Sequence, residues 1–265
     1  MPYDGAVSET PLDYALLDRL GAGARMFYPR PDHTPPPPGA RDLFVELAPN
    51  VRVASRFFPA DPAYPTILLF HGNGEVAGDY DDLAPVYHQN QINLWVADYR
   101  GYGQSDGAPS FAALVADAHR VLDQFHAELD AGGFAECRLV MGRSLGAHPA
   151  TELAARRPER LRGLIVESGA TSLDRFARTA GENAEVVALI AAHRAKLRAI
   201  PLPALVIHGQ EDELIPAERA LEFYNGLSVQ PKELCIIPGA GHNDIWYVGF
   251  ARYFAAVAAF VRRVC

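Results

Sequence analysis

Cysteine is scarce. Cys137, Cys235 and Cys265 are too few and too scattered for a disulfide framework or a thiolate metal site, and the odd count leaves one unpaired, which fits a reducing cytoplasm. Positive charge is in deficit, with 24 Lys and Arg against 32 Asp and Glu. The formal charge of −8 offers no gain from counterion release on nucleic acid or on an anionic membrane surface. The longest apolar runs fall short of a bilayer span, so no integral membrane association is expected. The opening MPYDGAVSET lacks a basic segment followed by an apolar one, the pattern of a secretory signal. No His/Cys/Asp/Glu group has metal-ligand spacing, and no G-x-G-x-x-G follows the first buried strand run, so no metal, dinucleotide or other cofactor is expected.

What is present is an ordinary globular composition, 49% hydrophobic and 21% charged, sufficient for one domain with a sizeable core. Residues 1–40 read as an irregular N-terminal extension, with a short helix near Leu12–Leu20 and a stiff Pro35–Pro38 linker. From 41 to 265 the pattern changes. LFVELA (43–48) and VRVASRFF (51–58) alternate apolar and polar residues about an Asn50 turn, as an antiparallel hairpin does. TILLFHG (66–72), NLWVADY (93–99), CRLVMG (137–142), LRGLIVES (161–168), PALVIHG (203–209) and ELCIIPG (233–239) are unbroken β-rich runs, expected where a strand is buried on both faces. Helical periodicity fills the gaps, notably over 111–129, 148–157 and 246–264. Strands separated by helices need crossover connections, which predicts an α/β architecture: an eight-stranded, mostly parallel sheet with helices on both faces.

The chemistry-bearing residues cluster at the C-terminal ends of those strands. GRSLG (142–146) is a G-x-S-x-G motif between a strand and a helix, where a sharp turn lifts Ser144 above the sheet edge. A serine that merely caps the helix is the competing interpretation. A serine hydroxyl needs a base, and His242 in PGAGHND (238–244) follows the last strand. Asp212 in HGQEDELIP (208–216) follows the preceding strand and is the candidate for orienting that histidine, although Glu211 and Glu213 flank it. The backbone N–H groups of Leu145 and of Asn73, the latter in HGNGE (71–75), are the candidate oxyanion donors. His148, Asp98, Glu167, His71 and His208 are assigned packing or turn-organising roles.

Together these motifs resemble the α/β-hydrolase superfamily, and within it the BEM46-like serine hydrolases. The similar segments are MFYPRP (26–31), FHGNGE (70–75), DYRGYGQSDG (98–107), GRSLGA (142–147), GLIVES (163–168), VIHGQEDELIP (206–216) and IPGAGHND (237–244), so the resemblance spans the chain from about Arg25. It implies the α/β-hydrolase fold, a triad of Ser144, Asp212 and His242, oxyanion donors at Asn73 and Leu145, and cleavage of ester, thioester or amide bonds in a small-molecule acyl substrate. It also implies that a cap between strands six and seven, here about 170–202, sets the substrate; a cap this small suggests an open cleft for short or medium acyl groups. The chain departs from the group in lacking a D-G-x-x-L turn within 48–58, in carrying Ala147 and His148 where a glycine-rich continuation is usual, and in showing no membrane-anchor pattern. A non-catalytic binding protein on the same scaffold is the rival from another functional class.

Overall fold

A computed structural model of the chain describes residues 12–21, 26–169, 171–174 and 183–265. The eight strands are β1 (Arg41–Ala48), β2 (Val51–Phe58), β3 (Thr66–Phe70), β4 (Asn93–Ala97), β5 (Arg138–Arg143), β6 (Gly163–Glu167), β7 (Ala204–Gly209) and β8 (Lys232–Ile237), in the sheet order β1-β2-β4-β3-β5-β6-β7-β8. β1–β2 and β2–β4 pair antiparallel and every later pair is parallel, as the helix-punctuated pattern predicts. Asn50 closes the hairpin at φ +61°, a left-handed conformation that asparagine tolerates better than most residues.

The unbroken apolar runs conceal a period of two. Leu68 and Phe70 of β3 join one core cluster, whereas Ile67 and Leu69 join the other. The first face is covered by α1 (Ala15–Arg19), α3 (Phe111–Ala131), α4 (Ala147–Arg156), α5 (Ala184–Arg198) and α6 (Ala217–Gly226). The second is covered by α2 (Ala84–Gln89), the short α7 (Ile245–Val248) and α8 (Phe250–Val264). The helix expected over 246–264 is therefore split at Gly249, where a Cβ would collide with the Ile237 side chain. Among the described residues no helix is long and apolar enough to cross a membrane.

A charged group lies inside the first core. Lys196 of α5 is buried, its Nζ 2.5 Å from Glu152 Oε2 on α4 and 2.8 Å from the hydroxyl of Tyr14, just before α1. The same Tyr14 hydroxyl meets His193 Nδ1 at 2.8 Å, and His193 Nε2 reaches the Thr171 carbonyl at 2.7 Å. Three helices and the chain after β6 are thus bolted through one polar knot. Of the 170–202 cap, the described part is 171–174 with α5 and its exit; residues 170 and 175–182 lie outside the described residues.

The cysteines correct the expectation that they are too scattered to pair. Cys137, at the start of β5, forms a disulfide with Cys265, their Cα atoms 5.6 Å apart, and Cys235 stays free. Chain separation says nothing about distance once α8 packs back along the sheet, and the cysteine count no longer argues for a reducing compartment. The bridge closes a sequence separation of 128 residues. Cys137→Ser is expected to lower unfolding stability by about 2–4 kcal/mol, read from urea midpoints with and without reductant. Wild type and variant should coincide in reductant; a gap that persists there would mean the loss is one of packing.

Candidate active site

The turn between β5 and α4 is built by exclusion. A Cβ on Gly142 would collide with the Gly146 carbonyl, and one on Gly146 with the Phe70 carbonyl, so glycine at both positions lets elbow and β3 touch. Ser144 between them sits at φ +49°, a left-handed conformation that costs a non-glycine residue about 1–3 kcal/mol. The side chain gains accessibility in return: Ser144 is partly exposed while Arg143 and Leu145 beside it are buried.

Two other strand ends converge on that hydroxyl. His242, in the loop after β8, places Nε2 3.0 Å from Ser144 Oγ and Nδ1 2.7 Å from Asp212 Oδ2, in the loop after β7. With Nδ1–H donating to the carboxylate, Nε2 keeps the lone pair that accepts the serine proton. Asp212 is buried whereas Glu211 and Glu213 are exposed, which separates three acids that look alike in sequence. Burial pushes the Asp212 carboxyl up, but hydrogen bonds from His242 and from the Ile215 N–H, with attraction from His242 and His208, hold it below its ordinary value of 3.8. Its Oδ1 accepts the N–H groups of Leu214 at 3.0 Å and Ile215 at 2.8 Å.

The loop after β3 begins against the same turn, the Phe70 and His71 carbonyls lying where a Cβ on Gly146 would be. Asn73 Oδ1 accepts from the Tyr28 N–H at 2.9 Å and the Tyr102 hydroxyl at 2.7 Å, and its Nδ2 donates to the Met26 carbonyl at 2.6 Å. Both ends of the amide side chain are thus engaged, while the Asn73 main-chain N–H has no acceptor among the described residues. Leu145 lies in the first turn of a helical segment that begins at Ser144, where N–H groups lack intrahelical acceptors. The bonds from Met26 and Tyr28 also give part of the N-terminal segment a place against this loop.

The sequence profile of the serine aminopeptidase (S33) family matches residues 61–185 and 175–245. An uncharacterized protein of Mycobacterium tuberculosis is 30% identical over 213 residues, which cover 78% of this chain and 74% of that one. The chain belongs to this hydrolase family. It is a BEM46-like α/β-hydrolase: protein bem46 of Schizosaccharomyces pombe is 28% identical over 188 residues, 68% of this chain and 62% of the yeast protein. Among solved structures, the Pyrococcus furiosus esterase Pf2001 superposes with a TM-score of 0.71 at 17% identity, covering 89% of this chain and 99% of the esterase. A soluble variant of the Saccharomyces cerevisiae monoglyceride lipase gives 0.68 at 17% identity, covering 89% of this chain and 98% of the lipase. At such identities these two show the shared fold.

Several residues of this BEM46-like hydrolase take the supporting places expected of them. Asp98 accepts the Ala77 N–H at 2.8 Å and meets His71 Nε2 at 3.1 Å, with Gly103 leaving room for its carboxylate. Glu167 accepts the Tyr253 hydroxyl at 2.7 Å, and His148 packs edge-on against Phe111. His208 proves more closely involved than a strand-end residue need be: its Nε2 meets the Ile215 carbonyl at 2.7 Å and lies 3.3 Å from Asp212 Oδ2. Arg143 and Glu75 had no role in the sequence reading, yet they pair 2.6 Å apart beside the site. The available signal was an arginine closing the otherwise apolar run LVMG, since a charge there must find partners. A cleft of about 930 Å³ opens between the β6–β7 segment and α6, lined in part by Leu197, Arg198, Leu214, Ile215 and Phe223.

Proposed function

We propose that this protein is a serine hydrolase that cleaves carboxylic esters or thioesters of small-molecule acyl substrates through an acyl-enzyme. The observation that carries the reading is the position of His242, within hydrogen-bond distance of Ser144 on one ring nitrogen and of Asp212 on the other. In this reading the Ser144 oxygen attacks the acyl carbonyl and His242 Nε2 takes its proton. Asp212 holds the tautomer and stabilises the imidazolium. The tetrahedral oxyanion is met by the N–H groups of Asn73 and Leu145. His242 then protonates the departing alcohol or thiol, and water, deprotonated by the same imidazole, releases the acid.

A fluorophosphonate probe tests this directly. Stoichiometric labelling on the peptide carrying Ser144 is expected, and a folded wild type left unlabelled would favour a binding protein on a hydrolase scaffold. The family's description as serine aminopeptidases favours a second reading, amide cleavage by the same residues. Aminoacyl amides assayed beside p-nitrophenyl esters and acyl thioesters separate the two. The small cap supports a preference for short or medium chains: kcat/KM is expected to be higher for acetyl and butyryl esters than for palmitoyl esters. Long-chain esters turned over far faster would overturn that preference.

A further inference from the structure

We propose that Arg143 is a positioning residue that holds the oxyanion loop and the histidine loop in register with Ser144; the inference rests on the serine-hydrolase reading above. The Arg143 side chain is almost fully buried, and its guanidinium meets separate pieces of chain, through ion pairs with two carboxylates and hydrogen bonds to a third segment. Nη1 lies 2.6 Å from Glu75 Oε1 in the loop after β3. Nε lies 3.1 Å from Glu167 Oε1 at the end of β6. Nη2 donates to the carbonyl of His242 itself at 3.0 Å and, more weakly, to Asn243 Oδ1 at 3.4 Å. Its face rests on the Trp246 ring, 5.1 Å from the centroid.

The second half of the connection runs through Glu75. Its Oε2 accepts the Gly72 N–H at 2.8 Å and the Tyr80 hydroxyl at 2.9 Å, so it grips the backbone one residue before the Asn73 N–H. A Cβ on Gly72 would lie 2.6 Å from Arg143 Nη1 and 2.8 Å from Glu75 Oε1, which makes the glycine the space in which the ion pair sits. One side chain, adjacent in sequence to the candidate nucleophile, therefore reaches the general base by its own carbonyl and the oxyanion donor by its preceding peptide. A buried ion pair is weak evidence of stabilisation, because desolvating both charges offsets their attraction. The planar fork of arginine does something an apolar side chain cannot, which is to set distances in three directions at once. A lysine ammonium, a point charge on a flexible stem, does not reproduce that geometry.

Glu75→Gln and Arg143→Lys test the assignment in the full chain. Glu75→Gln leaves the Arg143–Glu167 pair intact and is expected to fold, so it decides the matter even if Arg143→Lys does not fold. In each folded variant kcat for a p-nitrophenyl ester is expected to fall about 10- to 100-fold, short of outright loss of an oxyanion donor, with KM within about twofold. The Ki of an alkyl trifluoromethyl ketone, whose carbonyl becomes an oxyanion on adding Ser144 Oγ, should rise by the same factor, because only the charged state senses the displaced donors. The double variant should lose little more than the worse single one, since both substitutions break one connection. Melting temperatures measured alongside separate this from general loosening. A kcat within about twofold of wild type in folded Glu75→Gln, or a loss confined to KM, overturns the positioning role while a fluorophosphonate-labelled wild type keeps the nucleophile assignment. A wild type that neither labels nor turns over ester overturns both.

Discussion

Ser144→Ala and His242→Ala are each expected to lower kcat for an activated ester by about 10⁶, and the double variant to lose little more than either alone. The expectation follows from the single proton path. His242 Nε2, 3.0 Å from Ser144 Oγ, can generate the nucleophile only if both groups are present, so removing either removes the step. What remains is binding and the oxyanion donors, which leave a small residual rate over water. Asp212→Asn is expected to be milder, about 10⁴, because the nucleophile and base survive but the imidazole is presented in the wrong tautomer. Steady-state rates and fluorophosphonate labelling measured on the same preparations check all three. A tenth of wild-type activity in Ser144→Ala would end the serine-hydrolase reading. Multiplicative losses in the double variant would mean that the two residues act in separate steps.

Lys196→Met is expected to cost about 3–5 kcal/mol of unfolding stability, far more than a surface lysine would. Removing it deprives a buried carboxylate of the cation 2.5 Å away. Burial alone would push the Glu152 carboxyl up, but the hydrogen bond from His119 and the charge and hydrogen bond of Lys196 bring it down to about 2. The sign of the pH dependence follows. With a folded value of about 2 against an ordinary 4.5, Glu152 contributes stability that is fully present above pH 4.5 and lost as pH falls toward 2. Without Lys196 the carboxyl takes up its proton more readily, so the gap between variant and wild type should narrow below pH 4.5. Urea titrations at neutral pH and at stepped acid pH read both effects. Adding Glu152→Gln should recover a large part of the loss, since the carboxylate that lost its 2.5 Å partner is then gone and only the longer contacts from His119 at 3.5 Å and Arg156 at 4.0 Å are given up; failure to recover would point to packing around the lysine stem.

These two predictions differ in how far each was legible beforehand. Ser144 stands out as a candidate because the G-x-S-x-G turn is a local pattern, visible after a strand and before a helix without knowing what lies nearby, and His242 stands out by its loop after the last strand. The Lys196–Glu152 knot is not visible, because a lone charge on each of two helices reads as a solvated face until the helices are known to pack against each other. Among the acids near β7, Asp212 was the candidate with Glu211 and Glu213 flanking it, and burial of the middle one beside His242 and His208 separates them. Asn73 was legible as a loop position. That its side chain is bonded to Met26, Tyr28 and Tyr102 is a tertiary fact.

Sequence by itself determined the alternation of strands and helices, the doubly covered sheet and the strand ends where chemistry gathers, because periodicity, turn residues and motif spacing are properties of neighbouring residues. Tertiary structure alone decided that Arg143 reaches a carbonyl 99 residues away and that Cys137 meets Cys265 across a separation of 128. Those contacts join loops and chain ends that only the assembled sheet brings together: Arg143 at the end of β5 reaches past β6 and β7 to the loop after β8, and Cys265 ends the last helix. Such distances depend on sheet order and helix packing, which local pattern does not encode.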